Sequence, residues 1–162
     1  MTVCAKDRVC LFGDVSDGCM RLNDWGRIVE DAWFDLPNHD ANVELGAFVV
    51  MPNHVHGIVI IVGAGSVGAG SEPATKKTTH ALSEIVRGFK TFSARRINEH
   101  RRTPGIAVWQ RNYYEHIVRG EESLRRIERY IVENPARWAL NRENPAALQN
   151  PKGVVDGEDG EV

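Results

Sequence analysis

The predicted fold rests on two apolar runs, Val43-Glu-Leu-Gly-Ala-Phe-Val-Val-Met51 and His54-Val-His-Gly-Ile-Val-Ile-Ile-Val62. Both runs are rich in β-branched residues, which favour strands, and only Pro52-Asn53 separates them. Two such runs joined by a short turn indicate a β-hairpin. We therefore place this hairpin in an antiparallel sheet and assign the rest of the chain around it.

The residues before the hairpin predict one strand and one helix. Residues 2–5 are typical of a strand that starts almost at residue 1. Between residues 22 and 36, apolar side chains recur at helical spacing. Asn23 is a candidate N-cap for this helix, and Pro37 ends the run.

The residues after the hairpin predict two helices and one more strand. The second helix covers about residues 80–100, and residues 107–118 are typical of a strand with a polar middle. The third helix begins near Glu121. It ends or kinks at Asn134, because Pro135 has no backbone N–H to donate.

The order of these elements, β-α-β-β-α-β-α, predicts an α+β protein. Its first six elements match the split βαβ, or ferredoxin-like, pattern of one antiparallel sheet with helices on one face, followed here by a C-terminal helix. The 162 residues suffice for one domain, which we assign to residues 1–150. Residues 63–78 are predicted to be a mobile loop and residues 151–162 a disordered acidic tail.

The composition narrows the class of protein. Hydrophobic residues make up 42% and charged residues 26% of the chain, an ordinary mixture for a globular protein. Three cysteines without a CxxC spacing argue against a disulfide scaffold and a thiolate zinc site. No apolar run reaches the roughly eighteen residues of a membrane span, and no signal-peptide pattern opens the chain. We therefore expect a cytoplasmic protein.

Basic residues concentrate in one part of the chain, although the net charge is only −2. Residues 76–102 carry eight basic and two acidic side chains, which is a local charge of +6. Such a segment can form a basic surface for an anionic partner or simply a solvated helix face. Six of its cations lie in or directly after the second predicted helix: Arg87, Lys90, Arg95, Arg96, Arg101 and Arg102.

The pair His54 and His56 is the sharpest candidate for metal binding. On a strand, residues two apart point to the same face, so the two imidazoles would stand close enough to hold one ion. Val55 would then point to the opposite, apolar layer. The alternative is a pair of hydrogen-bonded histidines at the end of a strand.

Tyr130 and Asn134 form a second candidate group. At positions i and i+4 of a helix they are neighbours on one face. The amide oxygen of Asn134 is a suitable ligand for Mg²⁺ or Mn²⁺, and Tyr130 offers a phenol beside that ion. Alternatively, the tyrosine ring packs with its hydroxyl in water, and the asparagine caps the helix before Pro135.

Residues 109–119 mix aromatic side chains with hydrogen-bond donors and a Glu-His pair. A strand of this kind can stack a base or hold a nucleic-acid backbone. It can equally be an edge strand with a polar outer face. His116 is a candidate partner behind a metal ligand or a lone surface histidine, and Tyr113 and Tyr114 are alternatives to Tyr130 as nucleophile.

Four stretches together resemble the REP-associated tyrosine transposases, a group of HUH-type single-strand DNA transposases. They agree in order and spacing, cover most of residues 2–140, and are residues 44–58, 84–90, 109–119 and 129–135. The resemblance implies a ferredoxin-like catalytic domain, a divalent metal and a tyrosine nucleophile on a helix near the C-terminus. It also implies a homodimer that binds DNA hairpins from a repeated palindrome.

Carried over to this chain, the resemblance makes His54 and His56 metal ligands, Asn134 the third ligand, and Tyr130 the nucleophile in preference to Tyr113 and Tyr114. The expected cofactor is Mg²⁺ or Mn²⁺, and the six cations of the second helix are expected to hold DNA phosphates. The expected reaction is metal-dependent nicking and rejoining of single-stranded DNA through a 5′-phosphotyrosine.

Two other functions fit parts of the sequence. One is a domesticated protein that binds DNA hairpins without catalysis, which needs the basic segment but not the tyrosine beside two histidines. The other is a metal-dependent hydrolase of small molecules, in which water replaces the tyrosine. This second alternative has no use for the segment of charge +6.

Overall fold

A computed structural model of the chain describes residues 1–62, 82–141 and 143–148. In that part of the chain the strands are β1 (Thr2–Cys4), β2 (Gly13–Ser16), β3 (Cys19–Leu22), β4 (Val43–Val50) and β5 (His54–Ile61). The helices are α1 (Asp24–Phe34), α2 (Leu36–His39), α3 (Leu82–His100), α4 (Glu121–Glu133) and α5 (Pro145–Leu148), with 3₁₀ helices at Lys6–Arg8 and Pro135–Leu140. The predicted loop at 63–78 and the predicted tail lie outside the described residues.

The predicted hairpin of β4 and β5 forms, and β5 lies in the middle of the sheet. Its antiparallel neighbours are β4 on one side and β1 on the other. Beyond β1, Tyr114 and Trp109 form antiparallel bridges with Thr2 and Ala5. This order is that of a ferredoxin-like sheet, so the prediction of an α+β protein with an antiparallel sheet and helices is confirmed.

The predicted strand over residues 107–118 is wrong as a continuous element, because only isolated bridges form there. The Lys90 ammonium explains part of the interruption. It donates hydrogen bonds to the carbonyls of Gln110 (2.6 Å) and Arg111 (2.9 Å). Carbonyls held by a lysine are diverted from a regular strand ladder, although the N–H of Gln110 still donates to Cys4 at 2.9 Å.

The helices cover the two faces of the sheet differently. Trp33 of α1 and Phe89 of α3 pack together with Val55 in the main core. Helix α4 lies on the opposite face, where Ile127 and Ile131 pack against Ile58 of β5. Because side chains alternate along a strand, His54 and His56 share the face of Ile58 and therefore lie under α4.

The first helix is shorter than its apolar pattern predicts. Asn23 is its N-cap, as expected, and accepts a hydrogen bond from the N–H of Gly26 at 2.9 Å. Leu22 belongs instead to β3, and Leu36 begins α2. Helix α1 thus ends before the position at which Pro37 was expected to end it.

The hairpin of β2 and β3 has no counterpart in the sequence prediction. Its turn is Asp17-Gly18, and both residues have positive φ, of 54° and 72°. This conformation is typical of the two-residue turns that join antiparallel strands, for which Asp-Gly is a favoured pair. The dipeptide was therefore a local sequence signal for this hairpin.

Within the described residues, no helix is both long and apolar enough to cross a membrane.

Candidate active site

Two imidazoles meet at the start of β5. The Nε2 atoms of His54 and His56 are 3.0 Å apart, and the ring centroids are 4.6 Å apart. Both side chains are buried, with exposed fractions of 1% and 9%. Their Nε2 atoms therefore converge on one point beneath α4.

The other ring nitrogens are held by polar side chains. Nδ1 of His54 lies 2.7 Å from Oδ1 of Asn53. Nδ1 of His56 lies 2.8 Å from the hydroxyl of Thr2, which is directly opposite it on β1. Metal-binding histidines commonly have such a partner on the nitrogen that does not face the ion. Sequence analysis identified neither Asn53 nor Thr2, although Asn53 directly precedes the histidine pair.

The surroundings keep both imidazoles uncharged. Burial, with a smaller contribution from the nearby charge of Arg8, lowers the pKa of His54 to about 4. Burial also lowers the pKa of His56 well below its usual value, with a smaller effect from His54. At neutral pH both rings are therefore in the form that can donate a lone pair to a cation.

Helix α4 brings Tyr130 to this pair. Its ring centroid lies 5.3 Å from that of His56, and the two rings are nearly perpendicular at 72°. The buried contacts of Ile127 and Ile131 with Ile58 hold the helix in this place. Tyr130 itself is 42% exposed, so its side chain is accessible from solvent.

Two buried polar or aromatic side chains, Asn134 and Trp138, follow Tyr130 along the chain. Asn134 is only 1% exposed, and its side chain forms no helix cap. Its Oδ1 accepts a long hydrogen bond of 3.5 Å from Nδ2 of Asn141. Trp138 of the following 3₁₀ helix packs near His54, with 6.0 Å between the ring centroids.

The three predicted ligands are of chemical types that a divalent cation accepts, and two of them, His54 and His56, converge. In the described ranges, no group of three or more His, Cys, Asp or Glu side chains could hold an ion. Two neutral imidazoles and a carboxamide oxygen are ligands that metals such as Mn²⁺ accept. Neither the imidazoles nor the carboxamide carries negative charge. The oxygens of a bound phosphate can supply the negative charge that faces the cation.

The six predicted DNA-binding cations do not gather at the histidines, because α3 lies across the sheet from α4. Four of them have partners. Lys90 binds two backbone carbonyls, Arg95 pairs with Glu99 (3.6 Å) and Arg96 with Asp35 (3.6 Å). Arg101 donates to Asn98 and lies 6.0 Å from the Trp25 ring. Arg87 and Arg102 are exposed.

Helix α4 carries other cations that sequence analysis did not assign to DNA. Arg126 and Arg129 are exposed and form no ion pair with any residue that the structure describes. Arg126 precedes Tyr130 by one helical turn and so lies on the same face of the helix. The spacing of four residues between Arg126 and Tyr130 was the sequence signal that places this arginine near the phenol.

The remaining predicted residues lie at the edge of the sheet. His116 is exposed, and the positions behind the two imidazoles are occupied by Asn53 and Thr2 instead. Tyr114 is exposed and joins β1 through its backbone. Burial raises the pKa of the Tyr113 phenol, and the neighbouring Glu115 makes a smaller contribution in the same direction. The structure thus brings Tyr130 to the histidines by its ring, and not Tyr113 or Tyr114.

The chain is similar to a transposase family model and to a protein of Haemophilus influenzae. The family model described as "Transposase IS200 like" matches residues 74–134, a range that includes Tyr130 and Asn134. An uncharacterized protein of Haemophilus influenzae is 38% identical over 148 residues, which are 85% of this chain and 79% of that protein.

One solved structure, of a REP-associated tyrosine transposase bound to a REP hairpin, superimposes with a TM-score of 0.56 at 19% identity. The match covers 84% of this chain and 64% of that one, so the chain spans less than two thirds of that transposase. At this identity the likeness is one of fold.

Proposed function

We propose that the chain is an HUH-type tyrosine transposase of the IS200-like family, which nicks and rejoins single-stranded DNA at palindromic hairpins. One observation carries the proposal. A partly exposed phenol on α4 lies 5.3 Å, ring to ring, from one of two buried imidazoles whose Nε2 atoms are 3.0 Å apart. A protein that only binds DNA does not need this arrangement.

Tyr130 acts as the nucleophile in this proposal. Its Oη attacks phosphorus in line with the leaving group, so that the Oη–P bond forms while the bond from phosphorus to the 3′ oxygen breaks. The phenol proton passes to solvent, and the departing 3′ oxygen takes up a proton. The products are a 3′-hydroxyl and a 5′-phosphotyrosine, which a second 3′-hydroxyl resolves in the reverse step.

His54, His56 and Asn134 are the proposed ligands of the cofactor. Mg²⁺ or Mn²⁺ bound by them would supply Lewis-acid polarisation of the scissile phosphate. The low pKa of His54, about 4, keeps its lone pair available at neutral pH. The long contact of Asn134 Oδ1 leaves that oxygen with acceptor capacity to spare.

The DNA strand is proposed to run over α4. Arg126 and Arg129 are the cations nearest to Tyr130 along this helix, and no described acidic residue pairs with them. They can hold phosphates on either side of the scissile bond, which positions the strand without reading its sequence. The strand must be single or open there, because in-line attack needs access to the backbone.

We expect the protein to act in the cytoplasm and as a homodimer.

A denaturing gel tests this function. A labelled hairpin oligonucleotide is first incubated with the protein and Mn²⁺ and is then run on this gel. The wild type should form a covalent protein–DNA adduct. Tyr130→Phe should form none while it still shifts the hairpin on a native gel. The matched control is Tyr114→Phe, which removes another exposed phenol and should keep the adduct. An adduct with Tyr130→Phe would move the nucleophile elsewhere.

Hairpin binding without catalysis is the second candidate function. It is favoured by the lack, among the described residues, of a carboxylate or thiolate that could join the two neutral histidines as a third ligand, since such a site holds a cation weakly. This function predicts a shifted hairpin on the native gel and no adduct from the wild type at any Mn²⁺ concentration. A hydrolase of small molecules would show turnover without any adduct.

A further inference from the structure

The hydrogen bonds behind the two imidazoles differ in kind. We infer that Asn53 locks His54 in a single tautomer, whereas Thr2 allows His56 to exchange one tautomer for the other when a cation binds. The exchange rests on the proposed cation site, but the lock does not. Both residues are positioning residues, because each contacts the Nδ1 atom of an imidazole, whereas the Nε2 atoms face each other.

The lock follows from the partners of Asn53. Its amide nitrogen donates to the carbonyls of Arg8 (3.1 Å) and Glu143 (2.7 Å). Carbonyls only accept, so the carboxamide has one orientation, with Oδ1 facing Nδ1 of His54 at 2.7 Å. A carboxamide oxygen also only accepts. Nδ1 of His54 therefore carries the ring proton, and Nε2 carries the lone pair.

This assignment determines the state of His56 when no cation is bound. The Nε2 atoms are 3.0 Å apart, and two lone pairs facing each other at that distance would repel. His56 therefore carries its proton on Nε2 and donates it to His54. Nδ1 of His56 is then an acceptor, and the Thr2 hydroxyl at 2.8 Å donates to it.

A cation that takes both Nε2 atoms requires the other tautomer of His56. The Nε2–H bond must break and an Nδ1–H bond must form, with one proton released to solvent and one taken up, so the net proton count does not change. The Thr2 hydroxyl then rotates and accepts from Nδ1. A hydroxyl can donate or accept, but an amide oxygen cannot donate. The pair thus combines one fixed ligand with one adaptable ligand.

Nuclear magnetic resonance of the ring nitrogens tests both parts. The full chain is labelled with ¹⁵N-histidine, treated with chelator, and then titrated with Zn²⁺ as a diamagnetic probe that imidazoles bind well. His54 should show Nδ1–H before and after Zn²⁺. His56 should change from Nε2–H to Nδ1–H.

Each outcome of this titration has a distinct meaning. Nε2–H on His54 in the metal-free protein would overturn the lock. Zn²⁺ binding at both rings without a change at His56 would overturn the exchange. If no Zn²⁺ reaches the rings, the exchange fails together with the proposed cation site, whereas the metal-free spectrum still decides the lock.

Variants of Thr2 add a measurement of affinity. Thr2→Val removes the hydroxyl and keeps the side-chain shape, and it should weaken Mn²⁺ binding about tenfold, as is typical for partners of metal ligands. Thr2→Ser should restore the affinity and the tautomer change. Mn²⁺ is titrated by electron paramagnetic resonance, and thermal unfolding is compared in chelator. Wild-type affinity in Thr2→Val at equal thermal stability would contradict the inference. Asn53→Ala is less suited, because it also removes the hydrogen bonds to the carbonyls of Arg8 and Glu143.

Discussion

The two faces of strand β5 pack against different parts of the molecule. One face presents Val55 and Gly57 to a dense aromatic core, in which Trp33 stacks on Phe48 at 4.3 Å between ring centroids. The other presents His54 and His56 to α4, where a small cluster of isoleucines is buried. If the proposed function holds, the alternation of side chains along one strand separates residues of the core from residues of the reaction. Changes on one face should affect folding, and changes on the other should affect catalysis.

The largest expected effect is on catalysis. His54→Gln combined with His56→Gln should abolish Mn²⁺-dependent cleavage of a hairpin oligonucleotide, because both imidazole ligands of the proposed cation are lost. The measurement is the yield of nicked DNA on a denaturing gel. His100→Gln, an exposed histidine at the end of α3, is the matched control and should cleave normally. Full activity of the double variant would remove the histidines from the reaction.

The largest effect on folding is expected at Gly57. A Cβ at this position would lie 2.4 Å from the Trp33 ring, so Gly57→Val should lower the free energy of unfolding by about 3 kcal/mol through overpacking. Denaturant unfolding measures it. Gly88→Ala is the control, because its Cβ would meet only Phe92 at 3.9 Å and it should stabilise α3. A Gly57→Val protein as stable as the wild type would refute the close packing.

A smaller effect is expected when the pH is changed. The buried His54 should make the free energy of unfolding depend on pH. Because the pKa of His54 is lowered to about 4 in the folded chain, the unfolded chain binds more protons below about pH 6.5. In chelator, this histidine alone should therefore lower the free energy of unfolding by about 2 kcal/mol between pH 7.5 and pH 5. Denaturant unfolding at both pH values measures the loss.

The variant His54→Gln provides the comparison for this titration. Glutamine does not titrate, so the variant should lose less stability than the wild type between the same pH values. Equal losses in the two proteins would contradict the assignment of the pH dependence to His54.

The smallest expected effect concerns the DNA surface. Replacing Arg126 and Arg129 with alanine should reduce the slope of hairpin affinity against salt by about two counterions, since each free arginine can neutralise one phosphate. The matched pair on the other face is Arg95 and Arg96, which already have acidic partners. Fluorescence anisotropy at several salt concentrations measures both slopes. A reduced slope only in the Arg95 and Arg96 variant would assign DNA to α3.

The parts of the site that follow from local periodicity were readable in the sequence. Residues two apart on a strand share a face, which brings His54 and His56 together. Residues four apart on a helix share a face, which places Tyr130 beside Asn134. These relations need only the correct assignment of strand and helix. The roles of the four residues stay predictions until the experiments above are done.

Other features depend on contacts between distant segments and could not be read in this way. The carbonyls of Arg8 and Glu143 orient Asn53, although they lie 45 and 90 residues away from it. Lys90 interrupts the expected edge strand because α3 passes close to residues 110 and 111. The Asp17-Gly18 hairpin is different, since its signal was local and was overlooked.

Sequence periodicity was therefore sufficient to pair the imidazoles and to pair the phenol with the amide, since backbone geometry alone relates residues that are two or four apart. Tertiary packing was needed to bring these two pairs to the same side of the sheet and to put the basic helix α3 on the other. Which face a helix covers depends on the fit of apolar side chains from separate elements, such as Ile127 and Ile131 on Ile58, and no local pattern encodes that fit.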